Sequence, residues 1–308
     1  MSTIIRYAAD DIVLDTKKVT TSTWADNNNT LSVAANFSTS STQVDDTDAN
    51  SQGNFYWDCY NGPTESISSS KEFAIAYGHI KGSGSEDFTH DSGSFGYSAT
   101  RWNYMQYRQL VFGDEAQKFT FDTTTPDDIY IINVQRANYK HNLKPGTLKL
   151  KLKGASNTIT LTDDSETKSG SAALTMCGRQ FNIVSGSAGV MSGSTLSQTE
   201  SGSYGLFYPD AGFMVLNPKA LSSSFNGNIN IASSESINSK GKNNSRLHSA
   251  ITGGANFTID SEEKVTSQYY FTRLKNNELN YTTNPSYIDD TGTIRFSSMT
   301  DSPTVYIT

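Results

Sequence analysis

The apolar residues of this chain occur in short runs that are closed by glycine, proline, asparagine or serine. Phe55–Tyr60 is followed by Asn61-Gly-Pro, and Phe73–Tyr77 is followed by Gly78. Aromatic and β-branched runs of this length, bounded by turn residues, are typical of β-strands. In the second run, Phe73 and Tyr77 share one face because side chains alternate along a strand. The pattern predicts a mainly β protein.

A strictly alternating segment supports the same fold class. Apolar residues alternate with lysine along Leu148–Leu152 and with threonine along Ile159–Leu161, and Gly154–Asn157 lies between them. Alternation with a period of two predicts strands that have one buried and one wet face. The two segments therefore predict a β-hairpin.

The best helix candidate lies at 101–112, where aromatic and aliphatic residues fall near helical spacing. Ser98 or Thr100 is predicted to cap its start, and Gly113 is predicted to end it. Other predicted elements are an arm or edge strand in Ser2–Val19, strands at Phe119–Phe121, Ile129–Val134, Gly212–Leu216 and Val265–Leu274, a short helix at Arg136–Leu143 and a long loop at Ser185–Ser203.

Composition places these strands in a folded protein with polar turns. Hydrophobic residues make up 35% and charged residues 18% of the chain, and serine, threonine, asparagine and glycine fill the difference. Aromatic residues reach 11%, which disordered chains rarely do. We expect antiparallel sandwich- or barrel-like domains with a few short helices and long polar loops. The expected division is an N-terminal arm with weak strands at 1–54, a main β-rich domain at 55–220, and a C-terminal β-rich segment or continuation at 221–308.

Charge and cysteine content restrict the partners and the compartment. The formal net charge of −7 disfavours nucleic acid as the main partner. Cys59 and Cys177 are too far apart in sequence to indicate a disulfide framework, so reduced thiols and assembly in a cytoplasm are expected. The start of the chain lacks a secretory signal, and no apolar segment is long enough to span a membrane. A lysine cluster is predicted to be a solvated β face: Lys140, Lys144, Lys149, Lys151 and Lys153.

No group of residues forms a recognisable catalytic or metal-binding motif. The four histidines (His79, His90, His141 and His248) lack metal-ligand spacing, and Lys81–Ser85 lacks the glycine spacing of a phosphate-binding loop. The aspartate pairs are interpreted as turn residues: Asp45-Asp46, Asp127-Asp128, Asp163-Asp164 and Asp289-Asp290. We therefore expect no enzyme activity and no cofactor, and assign no catalytic, cofactor-binding or metal-binding residue.

Eight stretches of the chain carry a resemblance to a known family. They are Phe73–Ser85, Tyr104–Leu110, Ile129–Arg136, Arg179–Gly186, Tyr208–Leu216, Tyr269–Lys275, Asn284–Ser286 and Val305–Thr308. Taken in order, they resemble a family of virion structural proteins from contractile-tailed myophages that infect marine cyanobacteria. The resemblance implies a tail, baseplate or neck component without catalytic residues. It also implies that family members continue past the last stretch into a further β segment.

The expected function is that of a structural virion subunit, in the tail or baseplate, that assembles with copies of itself and with other phage proteins. One alternative is a neck or capsid-associated protein. Another is a host-surface module that binds carbohydrate, with Trp24, Trp57 and Trp102 as candidates for stacking on sugars, although Trp57 and Trp102 are expected in the core. A third is a polysaccharide-degrading enzyme that uses one aspartate pair.

We expect the polar segments Thr20–Gly53 and Ser185–Ser203 to become ordered only on assembly, because they contain few residues that can be buried. Hydrogen–deuterium exchange checks this. Amides of both segments should exchange fast in the purified monomer and slowly in the assembled particle. Protection of both segments in the monomer would contradict the expectation.

Overall fold

The described part of the chain folds mainly into antiparallel β-strands, as the short aromatic and alternating runs predict. The computed structural model describes residues 9–25, 27, 30–31, 38–39, 56–62, 69–82, 99–154, 157–167, 172–197, 199, 201–224, 242–271 and 290–291. Two compact units are present, and each is described by itself. One comprises Met1–Val19 and Lys264–Thr308, and the other comprises Thr20–Glu263.

Most elements are strands of a few residues. In chain order they are β1 (Ile12–Ser22), β2 (Thr30–Leu31), β3 (Ser38–Thr39), β4 (Trp57–Tyr60), β5 (Lys71–His79), β6 (Asp128–Val134), β7 (Asn142–Leu143), β8 (Lys149–Lys153), β9 (Thr158–Asp163), β10 (Ala173–Thr175), β11 (Gly178–Ser187), β12 (Val190–Met191), β13 (Gly205–Tyr208), β14 (Phe213–Leu216), β15 (Phe257–Thr258) and β16 (Asp260–Tyr270). The α-helices are α1 (Ala99–Phe112), α2 (Pro218–Ser224) and α3 (Lys242–Gly254), and short 3-10 turns occur at Ala9–Asp11 and Arg136–Asn138. Across the described residues, no helix has the length and apolar character needed to cross a membrane.

The main sheet follows the order β2-β15-β8-β9-β11-β13-β14-β6-β5-β4-β3, and β10 and β12 pair with β11 beside this path. Its described strand pairs are antiparallel, including the predicted hairpin of β8 and β9. The sheet curls as a half-barrel. β1, β16 and β7 form a second sheet. These observations confirm the predicted mainly β, barrel-like fold class.

Strand β5 carries large side chains on one face and small ones on the other. Phe73, Ile75 and Tyr77 are buried in one core, as their shared face predicts, and Ala76 belongs to the core on the opposite side of the sheet. β6 and β14 contribute to both cores in the same alternating way. A central strand buried on both faces separates two apolar layers, which explains why β5 is almost wholly buried.

Helix α1 packs on the small-residue face of β5 because Gly78 leaves room for it. A Cβ atom at Gly78 would lie only 3.0 Å from the backbone nitrogen of Tyr104. The helix confirms the prediction at 101–112, although it begins earlier, at Ala99. Thr100 therefore lies inside the first turn and is not its cap, and Ser98 is outside the described residues. Gly113 ends the helix with a φ of +64°, a conformation that glycine adopts at little cost.

The core on the other face of the sheet joins aromatic residues to helix α3. Trp24 packs edge-on against Phe257 with ring centroids 4.9 Å apart, and Phe73 packs against Phe257 at 5.3 Å. Leu247 and Ile251 of α3 are buried in this core. Burial of these apolar residues against the core stabilises α3 over Lys242–Gly254.

One buried carboxylate ties three separate segments together. Glu72 of β5 is fully buried, and its carboxylate accepts hydrogen bonds from Ala25 N, Asn61 Nδ2 and Asn138 Nδ2. The distances are 3.2, 2.9 and 2.6 Å, respectively. Buried carboxylates are costly unless their oxygens are hydrogen-bonded, and this one is supplied with donors by three loops. The arrangement fixes those loops against the start of β5.

The predicted division into 1–54, 55–220 and 221–308 does not follow the borders of the two compact units. Trp24 and Leu31 lie in the core of the larger unit, so this unit begins well before residue 55. The smaller unit combines the two ends of the chain. Long-range pairing of this kind leaves no mark in local composition, which was the basis of the predicted boundaries.

Two local predictions are wrong because tertiary contacts replace the expected hydrogen bonds. Phe119–Phe121 is not a strand, since Phe121 forms only an isolated bridge with Thr124 and both phenylalanines are buried against the α1 core. Arg136–Leu143 is not a helix but the 3-10 turn Arg136–Asn138 followed by β7. β7 pairs with β16, a partner that lies far away in the sequence.

The predicted long loop at Ser185–Ser203 is wrong in its first part. β11 extends to Ser187 and turns back into β12, with Ala188 and Gly189 at φ values of +52° and +75°. Two consecutive residues with positive φ form the tight hairpin turn that matches the twist of antiparallel strands.

The described parts of both polar segments thus have contacts within the chain, since β11 and β12 pair in Ser185–Ser203 and Trp24 and Leu31 of Thr20–Gly53 lie in the core of the larger unit. The expectation that these segments become ordered only on assembly is not met there, because strand pairing and burial in the core already hold them within the chain.

Replacing Gly254 with alanine tests how closely α3 approaches β8. A Cβ atom there would overlap the backbone carbonyl of Lys151, which cannot swing away, so Gly254→Ala should lower the free energy of unfolding by about 1–3 kcal/mol. Gly253→Ala is the matched control, because the nearest atom to its Cβ would be the Lys153 Cβ, at 3.2 Å, a tight contact without overlap of the backbone. The control should cost clearly less than Gly254→Ala, since the contact is milder and alanine favours helix. Urea unfolding measures both, and equal effects would contradict the close approach.

Candidate interaction surface

The smaller unit contains a two-stranded antiparallel ribbon, defined as residues 12–19 of β1 and 264–270 of β16. Phe271 N donates to Asp11 O at 2.8 Å at one end, and the hydroxyls of Thr16 and Thr266 are 3.3 Å apart farther along. Among the described strands, β1 lies at the end of its sheet order, and it includes the part Ile12–Val19 of the segment predicted as an arm or edge strand. The predicted strand at Val265–Leu274 is confirmed, with bounds shifted toward the N-terminus.

Exposed apolar side chains concentrate at one end of the ribbon. Leu14 is 67% exposed and Tyr270 is 46% exposed there, and Val13 and Tyr269 are exposed as well, whereas the exposed Val265 lies toward the other end. Neighbouring residues on a strand point to opposite faces. The apolar side chains at this end therefore reach both faces of the ribbon.

The ribbon leaves apolar side chains in water at this end. Apolar surface in water lacks the burial energy of about 25 cal/mol per Å² that contact with another surface provides. The described part of the ribbon is therefore a candidate interaction surface.

Charged residues along the middle of β1 restrict which partner can pair with it. Asp15, Lys17 and Lys18 are exposed there. Lysine on an edge strand disfavours indiscriminate pairing with other edges. A partner surface with carboxylates suits this part of the strand, and a chain with a net charge of −7 carries such surfaces.

The tryptophans proposed for sugar stacking do not lie together on the surface. Trp24 and Trp57 are buried, and the Trp57 ring packs near His248 with centroids 6.0 Å apart. Trp102 of α1 is 49% exposed. Only Trp102, of the three, has a face available to a ligand.

In each described aspartate pair, the two carboxylates have different hydrogen-bond partners. Asp127 accepts a hydrogen bond from Lys118 Nζ at 2.7 Å, and the hydrogen bond and charge of this lysine lower the pKa of Asp127. Asp128 is buried and accepts a hydrogen bond from Tyr77 OH at 3.1 Å. Burial raises the pKa of Asp128 to about 6. The two carboxylates therefore do not share a proton or a ligand.

The second described pair also has separate partners. Asp163 accepts a hydrogen bond from Gly146 N at 2.8 Å, and Asp164 accepts bonds from the backbone and side-chain nitrogens of Asn182. Burial raises the pKa of Asp163. The prediction of turn residues does not hold for Asp128 and Asp163, which are the first residue of β6 and the last of β9. Asp45, Asp46 and Asp289 lie outside the described residues.

The histidines lie apart from one another. His79 is buried in β5 and its Nδ1 accepts a hydrogen bond from Lys81 N, while His248 is half-buried in α3. Burial lowers the pKa of both. His141 is exposed beside β7, and His90 lies outside the described residues. Among the residues that the structure describes, no three His, Cys, Asp or Glu side chains are placed to hold a metal ion.

Both cysteines are free thiols. Cys59 is buried in the core, as predicted, and burial raises its pKa. Cys177 is half-buried, its sulfur lies 3.2 Å from Thr175 Oγ1, and burial raises its pKa too. A raised pKa keeps a thiol protonated and weakly reactive at neutral pH.

The lysine cluster forms a wet strand face, as predicted. Lys149, Lys151 and Lys153 alternate along β8 with fully buried leucines. Lys144 Nζ donates a hydrogen bond to Thr20 Oγ1 at 2.9 Å.

In the segment Lys81–Ser85, the described residues form a turn in which Gly82 N donates a hydrogen bond to His79 O.

Comparison with known proteins gives no match: no protein-family model, curated protein or solved structure matches the chain. Five of the eight stretches that carry the virion-family resemblance fall on α1 and on strands β5, β6, β11, β13 and β14, and Tyr269–Lys275 begins at the end of β16. Asn284–Ser286 and Val305–Thr308 lie outside the described residues. The strands β5, β6, β11, β13 and β14 are neighbours in the centre of the main sheet. The ribbon was missed as a pair by sequence reasoning because its two strands lie at opposite ends of the chain.

Asp128→Asn should stabilise the protein at neutral pH. The folded-state pKa of Asp128 is raised from 3.8 to about 6, so the folded protein favours the protonated carboxyl. The stabilisation by this protonated form is complete below pH 3.8 and is lost as the pH rises through 6. The difference corresponds to at most about 3 kcal/mol. Asparagine still accepts the Tyr77 hydrogen bond and carries no charge. Thermal unfolding from pH 4 to pH 8 should therefore show a higher Tm for the variant only above about pH 5.

The neighbouring carboxylate provides the control for this prediction. Lys118 lowers the pKa of Asp127, so its charged form stabilises the fold above pH 3.8. Asp127→Asn should lower the stability at pH 7, by a fraction of a kcal/mol because the pair is exposed. A Tm change of the same sign in both variants would contradict the assignment.

Proposed function

We propose that this chain is a structural subunit that assembles with other protein chains through the ribbon of β1 and β16. The assembly is the virion of a contractile-tailed bacteriophage, and the subunit belongs to its tail or baseplate. Its partners are further copies of this chain and neighbouring tail proteins. The protein works by burying surface against those partners and carries out no reaction.

The exposed apolar end of the ribbon is the observation that carries this proposal. Val13, Leu14, Tyr269 and Tyr270 reach into solvent from this ribbon. Tyrosine is enriched at protein interfaces because its ring gives contact area and its hydroxyl keeps a polar partner. An extended edge strand also offers unpaired backbone groups, to which another chain can add a strand.

The place in a phage tail rests on the resemblance to myophage virion proteins. Five of the eight stretches that carry it lie on the central strands and α1, and Tyr269–Lys275 begins in the ribbon at the end of β16, so the likeness includes both core and ribbon residues. Core residues specify how a subunit folds, whereas its neighbours are chosen by surface residues. A neck or capsid-associated position is the alternative within the same class of structural protein.

The ribbon proposal predicts that surface polarity at one end of β1 controls assembly. Leu14→Ser combined with Tyr270→Ser should weaken self-association by tenfold or more, because about 1.5–3 kcal/mol accompanies burial of each large apolar side chain. Leu174→Ser is the matched control, because Leu174 of β10 is 82% exposed but lies outside the ribbon. Multi-angle light scattering over a concentration series measures the association constant.

Three outcomes contradict the ribbon as the interface. The first is a wild-type chain that stays monomeric at every concentration, also when extracts of phage tails are added. The second is a double variant whose association constant is unchanged. The third is a Leu174→Ser variant whose association constant falls as much as that of the double variant. The position in the particle has a separate check. A cryo-electron microscopy map of intact virions should contain this fold in the tail or baseplate, and its presence in the capsid instead would contradict the tail assignment.

A further inference from the structure

A cleft lies beside α1 in the larger unit, where the small residues of β5 leave the sheet uncovered. Its floor is formed by Ala74 and Ala76 of β5 and by Ile131 and Asn133 of β6, which are paired with those alanines. The helix approaches the sheet closely only at Gly78. Because alanine does not fill the space farther along the strand, a cavity of about 220 Å³ remains.

Polar and aromatic side chains form the walls of the cleft. Asn103, Gln106 and Tyr107 line it from α1, and Tyr56, just before β4, and Lys71 of β5 line it from the sheet. Tyr56 is 47% exposed, and the Lys71 ammonium lies over one face of its ring, 5.6 Å from the centre. The aromatic ring thus lies beside several amide and hydroxyl groups.

The hydrogen-bonding groups at the base of the cleft are fixed in place. Asn133 Nδ2 donates to Tyr107 OH at 3.1 Å, which leaves the tyrosine hydroxyl proton and the asparagine carbonyl oxygen for another partner. The Tyr107 ring is held by Phe213, with centroids 5.1 Å apart. Burial raises the pKa of Tyr107, so its hydroxyl stays protonated and can donate.

The cleft has little net charge to offer a ligand. Lys71 is its one cation, and the ammonium forms an ion pair with Asp58. The other polar lining residues are three neutral amides and two phenols. This composition does not suit a phosphate or carboxylate ligand, which requires uncompensated cations or several backbone N–H donors. It suits a neutral ligand that has many hydroxyl groups and one apolar face.

We propose that this cleft binds one ring of a neutral saccharide. The C–H face of the sugar packs on Tyr56, and its hydroxyls exchange hydrogen bonds with Gln106, Tyr107 and Asn133. The volume is below the 300–1,000 Å³ of pockets for drug-sized ligands, so it holds a single ring. The dissociation constant of one such ring is on the order of 1 mM. The site is independent of the ribbon and lies apart from the buried Trp24 and Trp57.

Saturation-transfer difference NMR on the full-length chain tests the proposal, because it detects millimolar binding and tolerates large assemblies. The probes are methyl α-glucoside, methyl α-galactoside, methyl α-mannoside and N-acetylglucosamine, each titrated separately. At least one should receive saturation, strongest on the protons of one ring face. Absence of transfer to all four overturns the proposal.

Variants locate the binding within the molecule. Ala74→Leu fills the cleft and should abolish transfer, while Tyr107→Phe keeps the packing on Phe213 and should raise the dissociation constant about fivefold by removing one hydrogen bond. Trp102→Ala is the control, because Trp102 lies on the same helix but outside the lining. Unchanged binding in Tyr107→Phe, or binding lost only in Trp102→Ala, overturns the assignment to the cleft.

Discussion

The difference between the two faces of β5 is the constraint on which the larger unit depends. The large residues Phe73, Ile75 and Tyr77 fill one core, and the small residues opposite them admit α1. Gly78 brings the helix against the strand, which places Tyr104 over Phe119 with ring centroids 5.7 Å apart. Because β5 is paired on both edges and covered on both faces, it cannot change register without moving every large side chain into the wrong core.

The same small residues connect the fold to its candidate binding surfaces. The packing between β5 and α1 is tight at Gly78. A polar cleft remains beside Ala74 and Ala76 of the same strand. Glu72, at the start of the strand, fixes loops from three parts of the chain around that end of the sheet. The ribbon of β1 and β16 has the opposite property, because its strands are exposed on both faces and offer apolar side chains to a partner.

Much of the fold could be predicted where a signal was local. The aromatic runs, the Leu148–Leu152 alternation and the helical spacing at 101–112 each appear in the structure with nearly the predicted bounds. The errors fall where distant contacts decide the conformation. Phe119–Phe121 has a strand composition but is held under a helix, and the hairpin within Ser185–Ser203 depends on two positive φ values in a serine-rich segment. For the candidate sites, an edge strand in Ser2–Val19 was predictable, but its partner and the cleft were not.

The sequence by itself determined the class of the fold, because the period and the length of apolar runs dictate which backbone conformation can bury them. It also determined which residues of β5 face the same way, since alternation is a property of any strand. Only the tertiary structure decided which strands meet, because pairing between the ends of the chain depends on long-range packing. That packing buried Trp24 and Trp57, left Trp102 exposed, and set the alanines of β5 beside polar side chains of α1. Burial is a property of the assembled core, and so the surface available to partners and ligands was fixed only when the core formed.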